Sequence, residues 1–546
     1  MTMVRQEYRS PWEPGWREEA WARLKDPWEL IIVGGGITGA GILALAARSG
    51  LRTLLLEKAD FASGTSSRSS KMVHGGLRYL KNMHIKLTWE SVRERQRLLA
   101  TAPGLIEPLG FIYPIYEGGH PSPWVMGIGL GIYTRLSPDA GDYQRLDEVD
   151  ISLLAPGLKT HDLERGYRYL DAQTDDARLV LRVLHDGLKA GQGGALALNY
   201  VTVGGLLKNG DNVSGVTLRN EETGETAEAR ARLVINASGA WADELRREIG
   251  GKKRLRPLRG SHLYFSLDRF PVYQAIAFSH PDDGRPVFVY PWEGVALVGT
   301  TDVDHSGPLD METTISAEEA DYLLRAVQSH FPSLELARQD VLTVQAGVRP
   351  VVDTGRADPS AEGRDHVVWP EGGLLTVTGG KLTTFRLIAV DALREAHRMH
   401  PEIPEPDADA QVLETFDPGQ EIHGVDPDAS RRLWGRYGEA APFLAARFPE
   451  LLHRIAGTPY LWAELAWAAG HEPVRHLDDL LLRCFRCGIL LPDGGQSLMP
   501  RMESLLKEQL GWTKERWNEE AERYHRIRKT AHGLPKEWQD AHLDHS

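Results

Sequence analysis

The chain has 546 residues, of which 42% are hydrophobic and 25% charged, and its formal net charge at pH 7 is −13. This length exceeds one compact core, so we expect a globular protein of two or three domains. The acidic balance excludes a general nucleic-acid binder, because phosphate contacts need a basic surface, and an anionic ligand would need a local cluster of cations.

The first 27 residues contain Trp12, Trp16 and Trp21 and no apolar segment of the secretory-signal type. Tryptophan beside arginine would suit an anchor at a membrane interface. Glu18 and Glu19 interrupt this pattern. We therefore favour a short helix that packs on the following domain.

The stretch Leu30–Ala47, "LIIVGGGITGAGILALAA", is 18 uncharged residues with several early glycines. The glycines favour a tight turn over a membrane-spanning helix. "WELIIVG" predicts a buried strand, and "AGILALAARSG" predicts a helix that ends at Gly50. A second strand, "LRTLLLE", ends at Glu57.

Between the first strand and the helix, Gly34, Gly36 and Gly39 form a G-x-G-x-x-G motif, and Glu57 follows Gly34 by 23 positions. The glycines permit a tight turn, a close approach to a pyrophosphate and close helix packing. The helix N-terminus attracts the pyrophosphate, and Glu57 can accept hydrogen bonds from a ribose. The unit predicts dinucleotide binding.

Several later elements follow from pattern alone. Residues 175–194 predict a helix closed by glycines, which leads into one strand over "ALALNYVTV". "SHLYFSL" and "PVFVYPWEGVALVGTTD" predict antiparallel strands with a turn at Glu293–Gly294, in a sheet that covers the cofactor. The proline-rich acidic stretch 401–410 predicts a linker.

Two strand ends carry small residues, Ser238–Gly239 and Gly379–Gly380, and a helix is expected to start near Thr383 or Thr384. Both turns would let the backbone approach a ligand closely. The second directs helix N-terminal amides at an anionic group, as on a reduced flavin. A site assembled from three distant parts of the chain favours FAD over NAD.

Cys484 and Cys487 are the chain's two cysteines. So few cysteines exclude a disulfide scaffold and fit a reducing cytosol. Their C-x-x-C spacing would suit a redox site or half of a metal site, with His471 and His476 nearby, but a second pair is missing. We favour two core residues one turn apart on a helix, and we predict no metal site.

Seven motifs together resemble the FAD-dependent glycerol-3-phosphate dehydrogenases of the aerobic, membrane-associated type. They are "LIIVGGGITGAG", "TSSRSSKMVHGGLRYL", "NASGAW", "RGSHLYF", "GTTDVD", "AGVRP" and "TGGKLTTFR". The segment "WAAGHEPVRHLDDLLLRCFRCGILLPDGG" is similar to the helical C-terminal domain of that family. Arg259 stands where the family usually has lysine, and C-x-x-C is not part of the family pattern.

The resemblance implies an α/β plus α+β fold, with a Rossmann-like FAD-binding domain, an antiparallel-sheet substrate domain and an all-α C-terminal domain. We expect an N-terminal extension over 1–27 and a C-terminal domain over 411–546. The expected FAD-binding segments are 28–100, 170–245 and 345–400. The expected substrate or cap segments are 101–169 and 246–344.

The motifs also carry the expected site residues. The cofactor-binding set is Gly34, Gly36, Gly39, Glu57, Thr65, Ser66, Ser67, Ser70, Gly239, Gly380, Leu382 and Thr383. The substrate-binding set is Arg78, Tyr79, His262, Arg349 and Lys381. The resemblance implies that the serines surround the flavin, that the adjacent Gly-Gly lets the backbone pass close to it, and that Tyr79 and Thr383 orient substrate or flavin.

The implied reaction oxidises sn-glycerol 3-phosphate to dihydroxyacetone phosphate, by hydride transfer to FAD and onward transfer to a membrane quinone. Arg78, Arg349 and Lys381 are the candidate cations for the phosphate dianion. His262 is the best general base by residue type, because imidazole titrates near neutral pH. His262, Arg349 and Lys381 form the expected catalytic set, and the division of roles between His262 and Arg349 is open.

Three alternatives remain at this point. One is an oxidase that passes electrons to oxygen and releases hydrogen peroxide. Another is a different flavin oxidoreductase of the same superfamily, such as an amine or amino-acid oxidase. The third is a flavin-binding regulatory protein without turnover, which the three cations disfavour. The resemblance further implies a cytoplasmic protein, peripheral on the inner face of the cell membrane, with a homodimer as one possible assembly.

Overall fold

The computed structural model describes residues 8–77, 85–136, 143–359, 362–363, 365–417 and 419–543. Two β-sheets and a C-terminal set of helices make up this part of the chain. The strands are β1 (Trp28–Val33), β2 (Thr53–Leu56), β3 (Met72–Val73), β4 (Ile106–Tyr116), β5 (Gln144–Leu146), β6 (Leu163–Thr174), β7 (Ala195–Leu198), β8 (Val201–Asn209), β9 (Asn212–Asn220), β10 (Thr226–Asn236), β11 (Leu255–Ser266), β12 (Ala275–Ser279), β13 (Pro286–Trp292), β14 (Val295–Gly299), β15 (Val303–Asp304), β16 (Val341–Val352), β17 (His366–Glu371) and β18 (Leu374–Gly379).

The first helix precedes β1, the next ones lie between strands, and all helices from Phe385 onward follow β18. The α-helices are Trp16–Ala22, Ile37–Arg48, Ile85–Thr101, Pro123–Leu136, Glu148–Leu154, Asp176–Ala190, Ala242–Arg247, Ala317–His330, Phe385–Met399, Pro427–Tyr437, Ala441–Arg447, Trp462–His471, Leu477–Asp479, Cys487–Leu490, Met499–Leu506, Lys514–His532 and Lys536–Leu543. None of these helices combines the length and the hydrophobicity that crossing a bilayer requires.

The first sheet has the strand order β17-β18-β10-β1-β2-β7, and the β8–β9 hairpin extends from β10. β1 runs parallel to β2 and β10, with Leu30 opposite Thr53 and Ile32 opposite Ile235. Leu30 and Ile32 belong to the core cluster on one face, whereas Ile31 belongs to the cluster on the other. Burial on both faces explains the continuous apolar run that predicted this strand.

Helices Ile37–Arg48 and Asp176–Ala190 pack together on one face of the first sheet. Gly187 allows this contact, because a Cβ there would lie 2.8 Å from the Cα of Ala44. Helix Trp16–Ala22 packs on the opposite face, where buried Arg17 donates a 2.6 Å hydrogen bond to the carbonyl of Asn199. The prediction of a packed N-terminal helix is confirmed.

The second sheet has the order β15-β11-β14-β13-β12-β4-β6-β3, with β16 paired to β11 and β5 to β6. Its pairs are antiparallel except β4 with β12. The predicted turn is confirmed: Glu293 and Gly294, both with positive φ, join β13 to β14. The fold class is as expected, while the division into domains stays a prediction, and β16 crosses the boundary expected at 344–345.

One local strand prediction is wrong. The expected single strand "ALALNYVTV" is divided into β7 and β8, because Tyr200 adopts a φ of 54° and its hydroxyl bonds Asp479 at 2.5 Å. The stretch 401–410, expected as a linker, has no helix or strand; Ile403 is buried within it, and Arg386 donates to the carbonyls of Ala408 and Ala410. Its role as a domain boundary stays a prediction.

The single helix expected around Cys484 and Cys487 is also wrong. A π-helical turn over Leu480–Cys484 ends at Phe485, whose backbone is extended, and a new helix starts at Cys487. Both cysteines are buried, and burial raises the pKa of the Cys487 thiol to about 12. They are neutral core residues, in agreement with the favoured interpretation.

Candidate active site

The glycine motif has the geometry of a close turn between β1 and the following helix. Gly34 has a φ of 117°, and a Cβ on it would lie 2.4 Å from the carbonyl oxygen of Ala237. A Cβ on Gly39 would lie 2.0 Å from the carbonyl oxygen of Gly34. Gly36, the N-cap residue of this helix, has no side chain that could accept from the first-turn N–H groups.

Glu57 lies against this turn at the end of β2. Its carboxylate accepts hydrogen bonds from the backbone N–H of Gly35 at 2.7 Å and of Ala59 at 2.9 Å. Burial raises the pKa of this carboxyl above its ordinary value. The two amides hold the carboxylate in a fixed orientation beside the glycine motif.

The serine-rich segment connects the two sheets. Ser66 Oγ accepts a 3.0 Å hydrogen bond from the N–H of Ile37, in the first turn of the helix after the glycine motif. Thr65 Oγ1 donates to the carbonyl of Val348 in β16 at 2.5 Å. Ser67 lies in the same 3₁₀ turn, Thr65–Ser67, and is buried. The structure thus brings Thr65, Ser66 and Ser67 beside the glycine motif.

Two later turns lie near the same edge. Gly239 has a φ of 59°, no atom lies within 4 Å of its ideal Cβ, and its carbonyl accepts from Thr378 Oγ1 at 3.2 Å. Gly380, with a φ of 78°, precedes Lys381 and a 3₁₀ turn, Leu382–Thr384, that continues into helix Phe385–Met399. This second helix start has no side-chain cap either.

Thr383 connects this helix start to the segment after β3. Its Oγ1 accepts from the backbone N–H of His74 at 3.2 Å. Arg78 and Tyr79 follow in this segment but lie outside the described residues. Close packing explains the glycine at position 75, because a Cβ there would lie 2.4 Å from the hydroxyl of Tyr133.

His262 lies in β11 opposite Gly299 of β14, where a Cβ would approach the imidazole Cδ2 to 2.1 Å. Its Nε2 is 2.9 Å from Ser70 Oγ, and Nδ1 has no hydrogen-bond partner among the described residues. The side chain is 1% exposed. Burial, reinforced by the charges of Lys71 and Arg349, holds the pKa of His262 well below its ordinary value. The imidazole is therefore neutral near pH 7.

Arg349 lies in β16, next to β11, and its guanidinium crosses Gly260, where a Cβ would lie 2.4 Å from Nη2. Gly260 and His262 are two positions apart on one strand and so face the same side of the sheet. The guanidinium donates to Thr300 Oγ1 and Asp302 Oδ1, each at 3.0 Å, and is 22% exposed. Arg349 and His262 therefore share one face of the second sheet.

Two further cations have different positions. Arg259 forms an ion pair of 2.6 Å with Glu319 and does not join Arg349. Lys71, which the sequence did not single out, is fully buried directly after Ser70 and donates to Asp176 at 3.3 Å. A lysine after four serines and an arginine resembles a residue of a solvated loop, so the local sequence gave no signal that Lys71 is buried.

Comparisons with known proteins identify relatives of this chain. Residues 29–386 match the family model described as FAD dependent oxidoreductase, and residues 397–517 match the C-terminal domain of alpha-glycerophosphate oxidase. The chain is 34% identical to glycerol-3-phosphate dehydrogenase 2 of Mycobacterium tuberculosis, over 92% of this chain and 88% of that protein. It is 33% identical to the aerobic glycerol-3-phosphate dehydrogenase of Staphylococcus haemolyticus, over 84% and 86%. A glycerol-3-phosphate dehydrogenase structure from Bacillus halodurans, complexed with FAD, aligns with a TM-score of 0.75 at 26% identity, over 95% and 98% of the chains.

Proposed function

Because the chain belongs to the family of FAD-dependent glycerol-3-phosphate dehydrogenases, we propose that it oxidises sn-glycerol 3-phosphate to dihydroxyacetone phosphate and passes the electrons to a membrane quinone. The observation that carries the proposal is the buried, neutral imidazole of His262 on the same sheet face as the Arg349 guanidinium. The imidazole can accept a hydroxyl proton, and the guanidinium can bind a phosphate dianion.

The residues around the glycine motif fit FAD. Two helix starts, after Gly36 and after Lys381, have N-cap residues that make no side-chain cap hydrogen bond, so their first-turn N–H groups can face anionic parts of a ligand. At the first of them, Ser66 Oγ accepts from the N–H of Ile37, and the following N–H groups are the ones proposed for the ligand. Gly239 leaves open space where a side chain would lie. The proposed binding set remains Gly34, Gly36, Gly39, Glu57, Thr65, Ser66, Ser67, Ser70, Gly239, Gly380, Leu382 and Thr383. When bound, FAD supplies the hydride acceptor.

His262 is the proposed general base. A neutral imidazole has one N–H and one lone pair. If Nε2–H donates to Ser70 Oγ, the lone pair lies on Nδ1, the nitrogen without a partner among the described residues. The C2 hydroxyl proton of the substrate would then pass to Nδ1, and Ser70 would hold the ring in this tautomer. Arg349 is the alternative candidate for the general base.

Arg349, Lys381 and Arg78 are the proposed phosphate ligands. The guanidinium of Arg349 is oriented by Thr300 and Asp302 and can present a planar pair of donors. Lys381 immediately precedes the helix start at Leu382, whose N–H groups also favour an anion. Tyr79 and Thr383 would orient the substrate or the flavin.

Anaerobic bleaching tests the reaction directly. Purified protein with bound FAD is mixed with glycerol 3-phosphate, and the flavin absorbance near its visible maximum is followed. We expect rapid bleaching by glycerol 3-phosphate and little by glycerol at the same concentration, because glycerol lacks the phosphate. Bleaching by amino acids but not by glycerol 3-phosphate would assign the chain to another flavin oxidoreductase reaction.

The electron acceptor needs a separate experiment. The match of residues 397–517 to the C-terminal domain of an alpha-glycerophosphate oxidase favours oxygen as the second candidate acceptor. Reduced enzyme is mixed in a stopped-flow instrument with a soluble quinone or with air-saturated buffer. Faster reoxidation by the quinone supports the dehydrogenase, whereas rapid formation of hydrogen peroxide supports the oxidase.

We further propose peripheral attachment to the inner face of the cell membrane through one apolar surface. Helix Pro123–Leu136 exposes four large apolar side chains, and Trp124 among them is 78% exposed. Helix Ile85–Thr101 lies beside it, since Arg95 Nη1 donates to Tyr133 at 3.0 Å. We define the apolar surface by the exposed side chains of these two helices: Ile85, Trp89, Trp124, Val125, Ile128 and Ile132.

The chemistry around the apolar surface favours a lipid. Helix Pro123–Leu136 has no acidic residue and ends with exposed Arg135. Lys86 is 88% exposed, and the Arg93 guanidinium lies 4.7 Å from the ring centroid of Trp89. Tryptophan and cationic side chains suit the headgroup region of an anionic bilayer. A second copy of the chain, in a homodimer, is the alternative partner for this surface.

A further inference from the structure

The serine segment next to His262 is tied to one buried carboxylate, Asp176, at the start of helix Asp176–Ala190. Asp176 Oδ2 accepts from the backbone N–H of Ser69 at 3.0 Å and from its hydroxyl at 2.7 Å. Ser70 follows directly and presents its hydroxyl to His262. Its carbonyl accepts a hydrogen bond from the hydroxyl of Tyr290. Ser70 is thus anchored on both sides.

Lys71 also binds Asp176 and holds the serine segment. Its ammonium donates to Asp176, to the carbonyls of Ser67 at 3.1 Å and Ser69 at 3.4 Å, and to Gln345 Oε1 at 3.4 Å. It also lies 5.0 Å from the ring centroid of Trp292. Lys71 has a φ of 53°, a left-handed conformation that costs energy in a residue with a side chain. These contacts compensate for that cost.

A second cation reaches the same carboxylate from the C-terminal helices. Arg486 stands at the break between the π-helical turn and helix Cys487–Leu490. Its guanidinium donates to Asp176, to Asp175 Oδ1 at 3.1 Å and to the carbonyl of Ser67 at 3.4 Å. Arg486 and Lys71 are both buried. Two cations therefore share Asp176, one from the serine segment and one from the C-terminal region.

We propose that Lys71 is a positioning residue, which holds Ser70 against Nε2 of His262, and that Arg486 maintains this arrangement through Asp176. The C-terminal helices then form part of the machinery that fixes the catalytic imidazole. Removal of the Lys71 ammonium would leave the carbonyl of Ser69 without this donor and the carbonyl of Ser67 with Arg486 only, and the Ser70 hydroxyl would be held less firmly. The inference rests on the proposed role of His262 and adds the residues that keep it in place.

Charge supports the same arrangement. Lys71 is one of the charges that lower the pKa of His262, so its ammonium helps to keep the imidazole neutral. Burial lowers the pKa of Lys71 itself to about 8, so the ammonium persists at neutral pH and is lost above that value. The charged and titratable groups around it are Asp175, Asp176, His262, Tyr264, Tyr290 and Arg486.

The test measures flavin reduction by glycerol 3-phosphate in an anaerobic stopped-flow instrument, using the full chain with bound FAD. Lys71→Met removes the charge, Lys71→Arg retains it, and Asp176→Asn removes the shared anchor charge. For Lys71→Met we expect a limiting reduction rate at least ~10-fold lower, with the substrate Kd changed less than about 3-fold. The acid limb of the rate should move to higher pH, because the pKa of His262 rises when a neighbouring cation is removed.

Arg486→Met and Asp176→Asn should both lower the limiting rate of flavin reduction. Arg178→Met is the matched control, because Arg178 forms a buried 2.5 Å pair with Glu472 in the same interface without contact to the serine segment. We expect Arg178→Met to keep the wild-type rate and acid limb. Thermal unfolding and the flavin-to-protein ratio are measured for every variant.

Wild-type kinetics and a wild-type acid limb in Lys71→Met overturn the inference, as does an equal loss of rate in Arg178→Met and Arg486→Met. If Lys71→Met does not accumulate as folded protein, Lys71→Arg and Asp176→Asn decide: an unchanged limiting rate in Asp176→Asn overturns it. A wild-type enzyme that glycerol 3-phosphate does not bleach overturns the proposed function and this inference with it. A bleached wild type with an unaffected Lys71→Met overturns the inference alone.

Discussion

The hydroxyl of Ser70 lies 2.9 Å from Nε2 of His262, although 192 positions separate the two residues in the chain. Ser70 belongs to the segment that leaves the dinucleotide-type sheet, and His262 lies in the second sheet. The hydrogen bond therefore joins the proposed cofactor side of the molecule to the proposed substrate side. It also fixes the imidazole that we assign as the base.

Replacement of His262 by asparagine tests that assignment. Asparagine keeps a donor near Ser70 but cannot take a proton, so the limiting rate of flavin reduction should fall by ~10²–10⁴-fold, the usual contribution of a general base. The substrate Kd should change little, because the phosphate ligands are intact. Stopped-flow reduction with a flavin-to-protein ratio checks both. An unchanged rate would move the role of base to Arg349 or to a residue outside the described part of the chain.

The wild-type pH profile follows from the low pKa of His262. The neutral imidazole is the reactive form, so the rate of flavin reduction should stay constant from neutral pH to well below pH 6.5 and fall only under more acidic conditions. The kinetic isotope effect with substrate deuterated at C2, measured at each pH, shows whether hydride transfer limits the rate of flavin reduction. An acid limb centred at pH 6.5 or higher would show that the base is not this buried histidine.

Arg349→Lys tests phosphate recognition, because a lysine cannot make a planar two-donor contact. A hydrogen bond to a charged group contributes about 1.5–3 kcal/mol, so kcat/KM for glycerol 3-phosphate should fall by ~10–200-fold. Activity on glycerol should change by less than about 3-fold, since no phosphate is involved. The control is Arg259→Lys, in the paired strand, where the guanidinium binds Glu319. Equal losses on both substrates would contradict the phosphate role.

The third glycine of the motif makes a prediction about cofactor content. A Cβ on Gly39 would lie 2.0 Å from the carbonyl oxygen of Gly34, so Gly39→Ala must displace the turn. We expect purified Gly39→Ala to contain little FAD, measured as the ratio of flavin to protein absorbance. Gly470→Ala, in helix Trp462–His471, has no atom within 4 Å of the new Cβ and should retain FAD. Full flavin content in Gly39→Ala would contradict the proposed site.

Sequence patterns predicted the elements whose local signals agree with their packing. The β1–helix–β2 unit, the helix after Asp175 and the turn at Glu293–Gly294 are of this kind, because their glycines, caps and periodicity act over a few residues. The breaks at Tyr200 and Phe485 could not be predicted in this way. Tyr200 bonds Asp479, 279 positions away, and Arg486 bonds Asp176, 310 positions away.

The candidate site likewise contains residues that the sequence indicated and residues that only distant contacts reveal. The spacing of the glycines indicated the glycine motif from the sequence, whereas His262 was proposed from its residue type together with the family resemblance. Lys71 was missed, since a lysine in a polar segment has no local signal of burial, and its partner Asp176 is 105 positions away. Only the folded chain shows that this ammonium is internal.

A buried histidine at the end of helix Lys514–His532 predicts acid sensitivity. Burial lowers the pKa of His532 to about 3, and its Nδ1 lies 3.0 Å from the carbonyl of Val344. The unfolded chain binds a proton at this position below about pH 6.5 and the folded chain does not. Stability from this group is therefore complete above pH 6.5 and is lost as the pH falls toward 3. His532→Gln should reduce the fall in Tm between pH 6.5 and pH 4.5, measured by differential scanning fluorimetry, and an identical fall would contradict the assignment.

The apolar surface gives the last prediction. Replacement of Trp124 and Ile128 by serine removes two exposed apolar side chains from one helix; neither belongs to the buried core. Each large apolar side chain contributes about 1.5–3 kcal/mol on transfer from water, so binding to vesicles should weaken by at least ~10-fold. Vesicles of phosphatidylglycerol and phosphatidylcholine in a flotation assay measure this, and wild type should bind the anionic mixture more tightly than pure phosphatidylcholine. Leu153→Ser, at another exposed apolar position, is the control. Unchanged flotation of the double variant would exclude this surface as the membrane contact, and a loss of dimer in size-exclusion chromatography would assign it to a second copy of the chain.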